Sequence, residues 1–167
     1  MDAIQDSFRP STFGWLVGTL AGLGVTAVGL AGFAVTIGAA GEWGAWPLLA
    51  TALAIAVVLV KWLANLAATY EITPERLILR RGLIMKSIDE IELYRVKDVR
   101  LNFSILNQMV GIGTLTLTSS DETTRPGELV IREVPSARPR REELRRLVDL
   151  ARQKRRVREI DMTHDDL

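Results

Sequence analysis

The chain has 167 residues, a net charge of +1 and no cysteine. That length leaves room for one ordinary domain plus an anchor, the balanced charge gives no global pull toward nucleic acid, and the missing thiols exclude disulfides, thiolate metal sites and cysteine nucleophiles. The charge is unevenly placed: of 21 Lys and Arg residues only Arg9 and Lys61 precede Tyr70.

Residues 1–12 read as a short N-terminal segment. From Phe13 to Ala40 no residue is charged; at 1.5 Å per residue a helix there runs roughly 40 Å, more than the ~30 Å hydrocarbon core of a bilayer. Pro47 to Ala68 carries one charge, Lys61, and spans about 33 Å by the same rise. The connection, Gly41-Glu42-Trp43-Gly44-Ala45, is short enough to force the two helices antiparallel. Residues 13–68 are therefore expected to form a transmembrane hairpin, with Trp43 and Trp46 at one interface and Trp15 and Trp62 at the other. The connection holds Glu42 and no cation, whereas Arg9 and Lys61 flank the opposite side, so the positive-inside rule puts both ends in the cytoplasm. Gly38-Ala39-Ala40 resembles a signal cleavage site, but the apolar run is much longer than a signal core of about 7–15 residues. Neither helix contains an acid to pair with Lys61, which favours snorkelling of its stem past Trp62 over a buried polar site shared with Asn65. Gly14, Gly18 and Gly22 repeat every fourth residue and Gly29 extends the row, a small-residue face suited to close helix packing, within the hairpin in preference to between subunits.

After Tyr70 the period changes. Thr69–Thr73 reads as a strand, Thr73-Pro74-Glu75 as a turn, Arg76–Arg81 as a second strand, and Leu83–Leu93 as its return after Gly82. Val96–Phe103 alternates imperfectly, leaving room for a bulge. Ser104–Val110 has helical spacing, Gly111-Ile112-Gly113 is a break, and Thr114–Ser119 alternates with Leu115 and Leu117 inward. A polar loop, 120–127, leads to a strand over Glu128–Val134. Pro139 marks the start of an amphipathic helix with Leu144, Leu147, Val148 and Ala151 on one stripe, and residues 153–167 form a charged tail.

No enzyme pattern emerges. Gly111-Ile112-Gly113 precedes a strand and follows a helical turn, the reverse of a dinucleotide loop. Asp89, Glu90 and Glu92 are divided between the two faces of a strand, Ser119, Ser120 and Asp121 lack a base, and His164, the single histidine, stands in a polar tail. No catalytic residue, metal ligand or cofactor is expected.

Four stretches carry a family likeness: Tyr70–Thr73 running into Arg76-Leu77-Ile78 and Gly82-Leu83-Ile84; Ile91–Leu93 followed by Arg95–Val99; Gly111–Leu115; and Pro126–Ile131. In order and spacing they resemble the bacterial pleckstrin-homology-like (PH-like) domain of small membrane proteins, which commonly follows two transmembrane helices. The resemblance spans 69–152 together with the preceding hairpin, and it implies an α+β membrane protein: a two-helix transmembrane hairpin, then a partly open antiparallel β-barrel capped by a C-terminal α-helix. It implies no catalytic residues. Eukaryotic relatives of the fold bind phosphoinositides through basic residues near the first strands; here the nearest analogues are Arg76, Arg80, Arg81 and Lys86, interspersed with Glu71 and Glu75, which favours a solvated strand face. Arg152, Lys154, Arg155, Arg156 and Arg158 end the capping helix, either as a solvated helix end or as contacts to anionic headgroups.

The expectation is a non-enzymatic interaction or scaffold module in a bacterial cytoplasmic (inner) membrane. It binds a membrane-protein partner or assembles with itself. A module responsive to anionic lipid is the alternative, and a subunit of a channel-like assembly ranks last.

Overall fold

The structure is a computed structural model and describes residues 4–38, 43–119 and 128–162, with side chains through residue 155. Glu42, the 120–127 loop, the side chains of Arg156, Arg158 and Asp161, and His164, Asp165 and Asp166 lie outside the described residues. In chain order the elements are β1 (Asp6–Phe8), α1 (Thr12–Gly18), α2 (Leu20–Gly38), α3 (Leu48–Leu66), β2 (Ala68–Ile72), β3 (Arg76–Arg81), β4 (Ser87–Glu92), a 3-10 turn (Leu93–Arg95), β5 (Val96–Asn102), α4 (Ile105–Met109), β6 (Ile112–Ser119), β7 (Glu128–Pro135) and α5 (Ala137–Met162).

The long apolar run is two helices, not one. Thr19 leaves helical geometry at φ −127°, ψ 150°. Its hydroxyl donates to the Trp15 carbonyl at 2.7 Å and accepts the Gly22 amide at 3.0 Å, ending α1 and starting α2 with one side chain. Gly22 sits where a Cβ would strike the Trp15 and Leu16 carbonyls, so only glycine allows this close a turn. Beyond it α2 and α3, with 19 residues each, are long and apolar enough to cross a membrane. They run antiparallel: Thr51 Oγ1 donates to the Gly29 carbonyl at 3.0 Å, a Cβ on Gly29 would lie 3.0 Å from that of Ala54, and Gly32 lies over Pro47, Ala50 and Thr51. Nearly all other large side chains of α2 and α3 face outward.

Two open antiparallel sheets follow, β1-β2-β3-β4 and β5-β6-β7. Their inner faces meet over Leu77, Leu79, Ile91, Val96, Leu115, Leu117 and Ile131, and α5 closes the core with Leu144, Leu147 and Val148. The alternation of β6 and the stripe of α5 thus bury the residues their periodicity predicts, and β5 carries a register shift between Val96 and Asp98. The return strand is shorter than expected, Ser87–Glu92, because Leu83–Met85 forms the bend of the hairpin. Gly82 opens that bend at φ +102°, with the Met85 carbonyl folded over the place a Cβ would occupy. The last helix begins at Ala137, two residues before Pro139.

The element missing from the sequence reading is β1. It precedes the helices, yet pairs with β2 in register Asp6↔Ile72, Ser7↔Glu71 and Phe8↔Tyr70. The Phe8 and Tyr70 rings stack with centroids 5.4 Å apart. Arg140 of α5 covers the strand from outside, its guanidinium 4.6 Å from the Phe8 ring centre and 2.7 Å from Asp6 Oδ2. The helical hairpin is therefore an insertion between the first two strands of one sheet.

Phe8 is 6% exposed and Phe13, five residues on, 71%. Phe8→Ala is expected to lower the unfolding free energy of the detergent-solubilised protein by about 3 kcal/mol, and Phe13→Ala to leave it nearly unchanged. Thermal or denaturant unfolding of the two variants side by side checks this; equal effects would remove β1 from the core.

Candidate functional site

Two regions collect the polar side chains that the sequence singles out. The first is the joint between helices and sheets, built around Glu133. Opposite Gly113–Leu115 the register of β7 slips, and Glu133 takes up the left-handed conformation at φ +51°, a strained choice for a residue with a Cβ. This turns its carbonyl to the Ser11 amide (2.9 Å) and its carboxylate to Lys61 Nζ (3.1 Å). Both side chains are largely sheltered, Lys61 at 27% and Glu133 at 11% exposure, and the ammonium also lies 5.7 Å from the centre of the Trp15 ring. Ser11 Oγ caps α1 by accepting the Gly14 amide at 2.9 Å. Buried Asn65 donates to Thr12 Oγ1 at 3.0 Å.

The pairing of Lys61 with Glu133 replaces the snorkelling expected from the lack of an acid in either helix: the acid comes from a strand 72 positions along the chain. The glycine row divides as well. A Cβ on Gly14 would lie 2.5 Å from Ile112 Cγ2, and one on Gly18 2.5 Å from Val110 Cγ2, so these two let α1 press onto the sheet body. Gly22 serves the break at Thr19, and of the four predicted glycines only Gly29 faces α3. Trp15 is half-buried in the joint, Trp62 is exposed at the same end of the hairpin, and Trp43 and Trp46 are exposed at the connection.

The second region is the opposite end of the body. Strand register sorts the cations of the β3–β4 hairpin by end. Ala68↔Arg81 and the Gly82 amide on the Ala67 carbonyl put Arg80, Arg81 and Lys86 beside the end of α3. Arg76, paired in register with Glu92, is at the far end. Helix α5 starts near the joint, where the Ser136 amide reaches the Gly111 carbonyl and a Cβ on Gly113 would lie 2.8 Å from Ala137 Cβ. It then runs away from the hairpin. Its basic end reaches the far rim: Arg152 donates to the Val96 carbonyl at 2.5 Å, Lys154 pairs with Glu75 at 2.7 Å, and the Arg155 guanidinium lies 3.9 Å over the Tyr94 ring.

Between Gln5, the Pro74–Arg76 turn, Tyr94 and the outer turns of α5 lies a groove of about 590 Å³, floored by Leu147, Leu150 and Ala151 and rimmed by charges of both signs. The hydrogen bond from Arg146 holds the Glu143 carboxyl one turn back below the ordinary carboxylate range. Among the described residues the groove lining holds no nucleophile–base arrangement. Arg76 pairs with Glu90 at 2.9 Å and Arg80 with Glu71 at 3.1 Å, so neither is a spare cation waiting for an anion.

Four strands and three strands in two open antiparallel sheets, closed by one C-terminal helix, define a PH-like module. The family model described as Bacterial PH domain matches residues 17–148, well over half of the chain, and the chain belongs to that family. The match begins within α1, takes in the hairpin, strands β2–β7 and the first turns of α5, and leaves out β1. No curated protein and no solved structure matches the chain. Membership points to an interaction or scaffold module of a generally non-catalytic kind.

Removing one partner of a sheltered pair strands the other. Glu133→Gln is expected to cost roughly 1–3 kcal/mol of stability, with Lys61→Met costing far less in the Glu133→Gln background than alone. Unfolding of the single and double variants reads the coupling directly; strictly additive effects would mean the two side chains act independently.

Proposed function

We propose that α2 and α3 cross a bacterial cytoplasmic membrane as a hairpin, that both chain ends and the sheet body lie in the cytoplasm, and that the body is a non-enzymatic interaction module. Its far-end groove takes a segment of a membrane-protein partner or of a second copy. One observation carries this reading: β1 and β2 flank the hairpin in sequence and pair in one sheet, so both ends of the hairpin emerge on one side and the groove points away from it. The orientation is supported by Arg9 and Lys61 at that side and the absence of Lys and Arg from the connection.

The alternative in which the α5 cations hold anionic lipid loses support from distance. From Ala137 to Arg152 the helix rises about 22 Å, more than twice the Debye length of about 8 Å at physiological salt, so headgroups at the hairpin side exert little pull on that end. Lys154 and Arg155 line the groove instead, and Arg152 is committed to the Val96 carbonyl.

Because the chain has no cysteine, single substitutions report position cleanly. Trp43→Cys in intact cells is expected to react with a membrane-impermeant maleimide, and Asp149→Cys only after permeabilisation; the reverse pattern would invert the orientation. A photo-crosslinking residue at Leu150 is expected to give a discrete adduct in native membranes, weakened by Tyr94→Ala, whereas one at Asp98, outside the groove, gives none. The same diffuse adducts from both positions would count against the groove.

A further inference from the structure

The β3–β4 bend carries Leu83, Ile84 and Met85, with Ile84 98% and Met85 88% exposed. Three successive apolar side chains at a loop tip are costly in water and call for a covering. Their place in the fold says what covers them. The Gly82 amide donates to the carbonyl of Ala67, the residue that ends α3, so the bend lies beside the point where the hairpin meets the body. Arg81 and Lys86 bracket it, both exposed and, among the described residues, without an acid in ion-pair reach. On the other flank of the joint, α4 turns Ile105 (82% exposed) and Met109 (79%) outward from one face, while Val110 after it packs on Gly18.

We infer that this rim is a membrane-contact surface: Leu83–Met85, with Ile105 and Met109, enters the cytoplasmic leaflet beside the hairpin, and Arg81 and Lys86 hold the bend at the headgroups. The occupant is the bilayer's own leaflet, because the rim is continuous with the lipid-facing surface of α3. The depth agrees. With α3 rising about 28 Å, close to the ~30 Å core, its end at Leu66 marks the inner boundary. By helical rise the Lys61 backbone then lies about 8 Å deeper, within the 5–10 Å that interfacial elements reach, and the Glu133 carboxylate extends toward it from β7 to meet its ammonium. The end of the body that holds Glu133 meets α1 and α3 level with Ser11 and Asn65, at that boundary, so the apolar tips on either side of the joint face the headgroup–acyl region. The cations at the base of the bend match the negative cytoplasmic leaflet, within a Debye length of it.

This inference rests on the hairpin spanning the membrane, and one experiment separates the two. Full-length Ile84→Cys, Leu30→Cys and Asp149→Cys proteins are labelled with an environment-sensitive fluorophore. They are then reconstituted in phosphatidylcholine–phosphatidylglycerol vesicles with and without lipids bearing quenchers on their acyl chains. Leu30, exposed in the middle of α2, reports the span; Asp149, on the outer half of α5, reports water. The expected result is blue-shifted emission and strong lipid-dependent quenching at Ile84 and Leu30, with neither at Asp149. Quenching at Leu30 with a water-like spectrum at Ile84 overturns the insertion and leaves the hairpin standing. A blue shift at Ile84 without lipid quenching means that protein, such as a second copy, covers the bend, and also overturns it. Loss of quenching at Leu30 overturns the span and the insertion together. Met85→Cys, on the same exposed bend, must repeat the Ile84 result.

Discussion

Phe8 and Tyr70 stack across adjacent strands although the whole helical hairpin lies between them in sequence. Everything from residue 9 to residue 67 must therefore leave the sheet and return to within one strand spacing, about 4.8 Å. That closure fixes the rest. It makes α1 turn back over the edge of the body, forces an even number of crossings on whatever the two long helices traverse, and leaves only Ala67 between α3 and β2 and Arg9–Ser11, tied to Glu133 at Ser11, between β1 and α1. A body attached by α3 alone could swing; one attached at both ends of an inserted hairpin cannot without breaking β1 from β2.

The joint adds directionality to that closure. Lys61 in α3 and Glu133 in β7 meet in a sheltered setting where neither is satisfied alone, and the Glu133 backbone is held at a left-handed angle so that its carbonyl also receives the Ser11 amide. One residue thus ties three elements, α1, α3 and β7. With the joint fixed, α5 is committed to run outward, which puts Arg146, Lys154 and Arg155 at the far groove and leaves Arg81, Lys86 and the apolar bend at the hairpin side. The separation of the groove end from the hairpin end, on which the proposed partner and lipid contacts rest, follows from topology before any ligand is considered.

Much of this was legible in the sequence, and the gaps have physical causes. The charge-free runs, the alternation of Leu115 and Leu117 and the stripe of Leu144, Leu147 and Val148 are local patterns, and the fold uses them as written. Strand β1 has three residues, too few to display a period, and its reason to exist is pairing with residues over sixty positions away. Glu133 reads as an ordinary strand residue because a bulge depends on the register of the neighbouring strand, so the acid serving Lys61 could not be found by inspecting the helices. The break at Thr19 had a local sign, a hydroxyl between Gly18 and Gly22, but the length of the apolar run masked it. The basic cluster of α5 was visible as charge, yet which end of the body it serves depended on the direction of the helix.

The rigidity of this double attachment can be measured as a distance. Spin labels placed together at Val35→Cys, on the exposed surface of α2, and Asp149→Cys, on α5, would give their separation by pulsed electron–electron double resonance in lipid nanodiscs. A body clamped by β1 and by the Lys61–Glu133 joint gives one narrow distance peak, and the peak broadens in the Lys61→Met, Glu133→Gln double variant. A broad or multimodal distribution in the unaltered background would contradict the clamp and return the body to the status of a tethered domain.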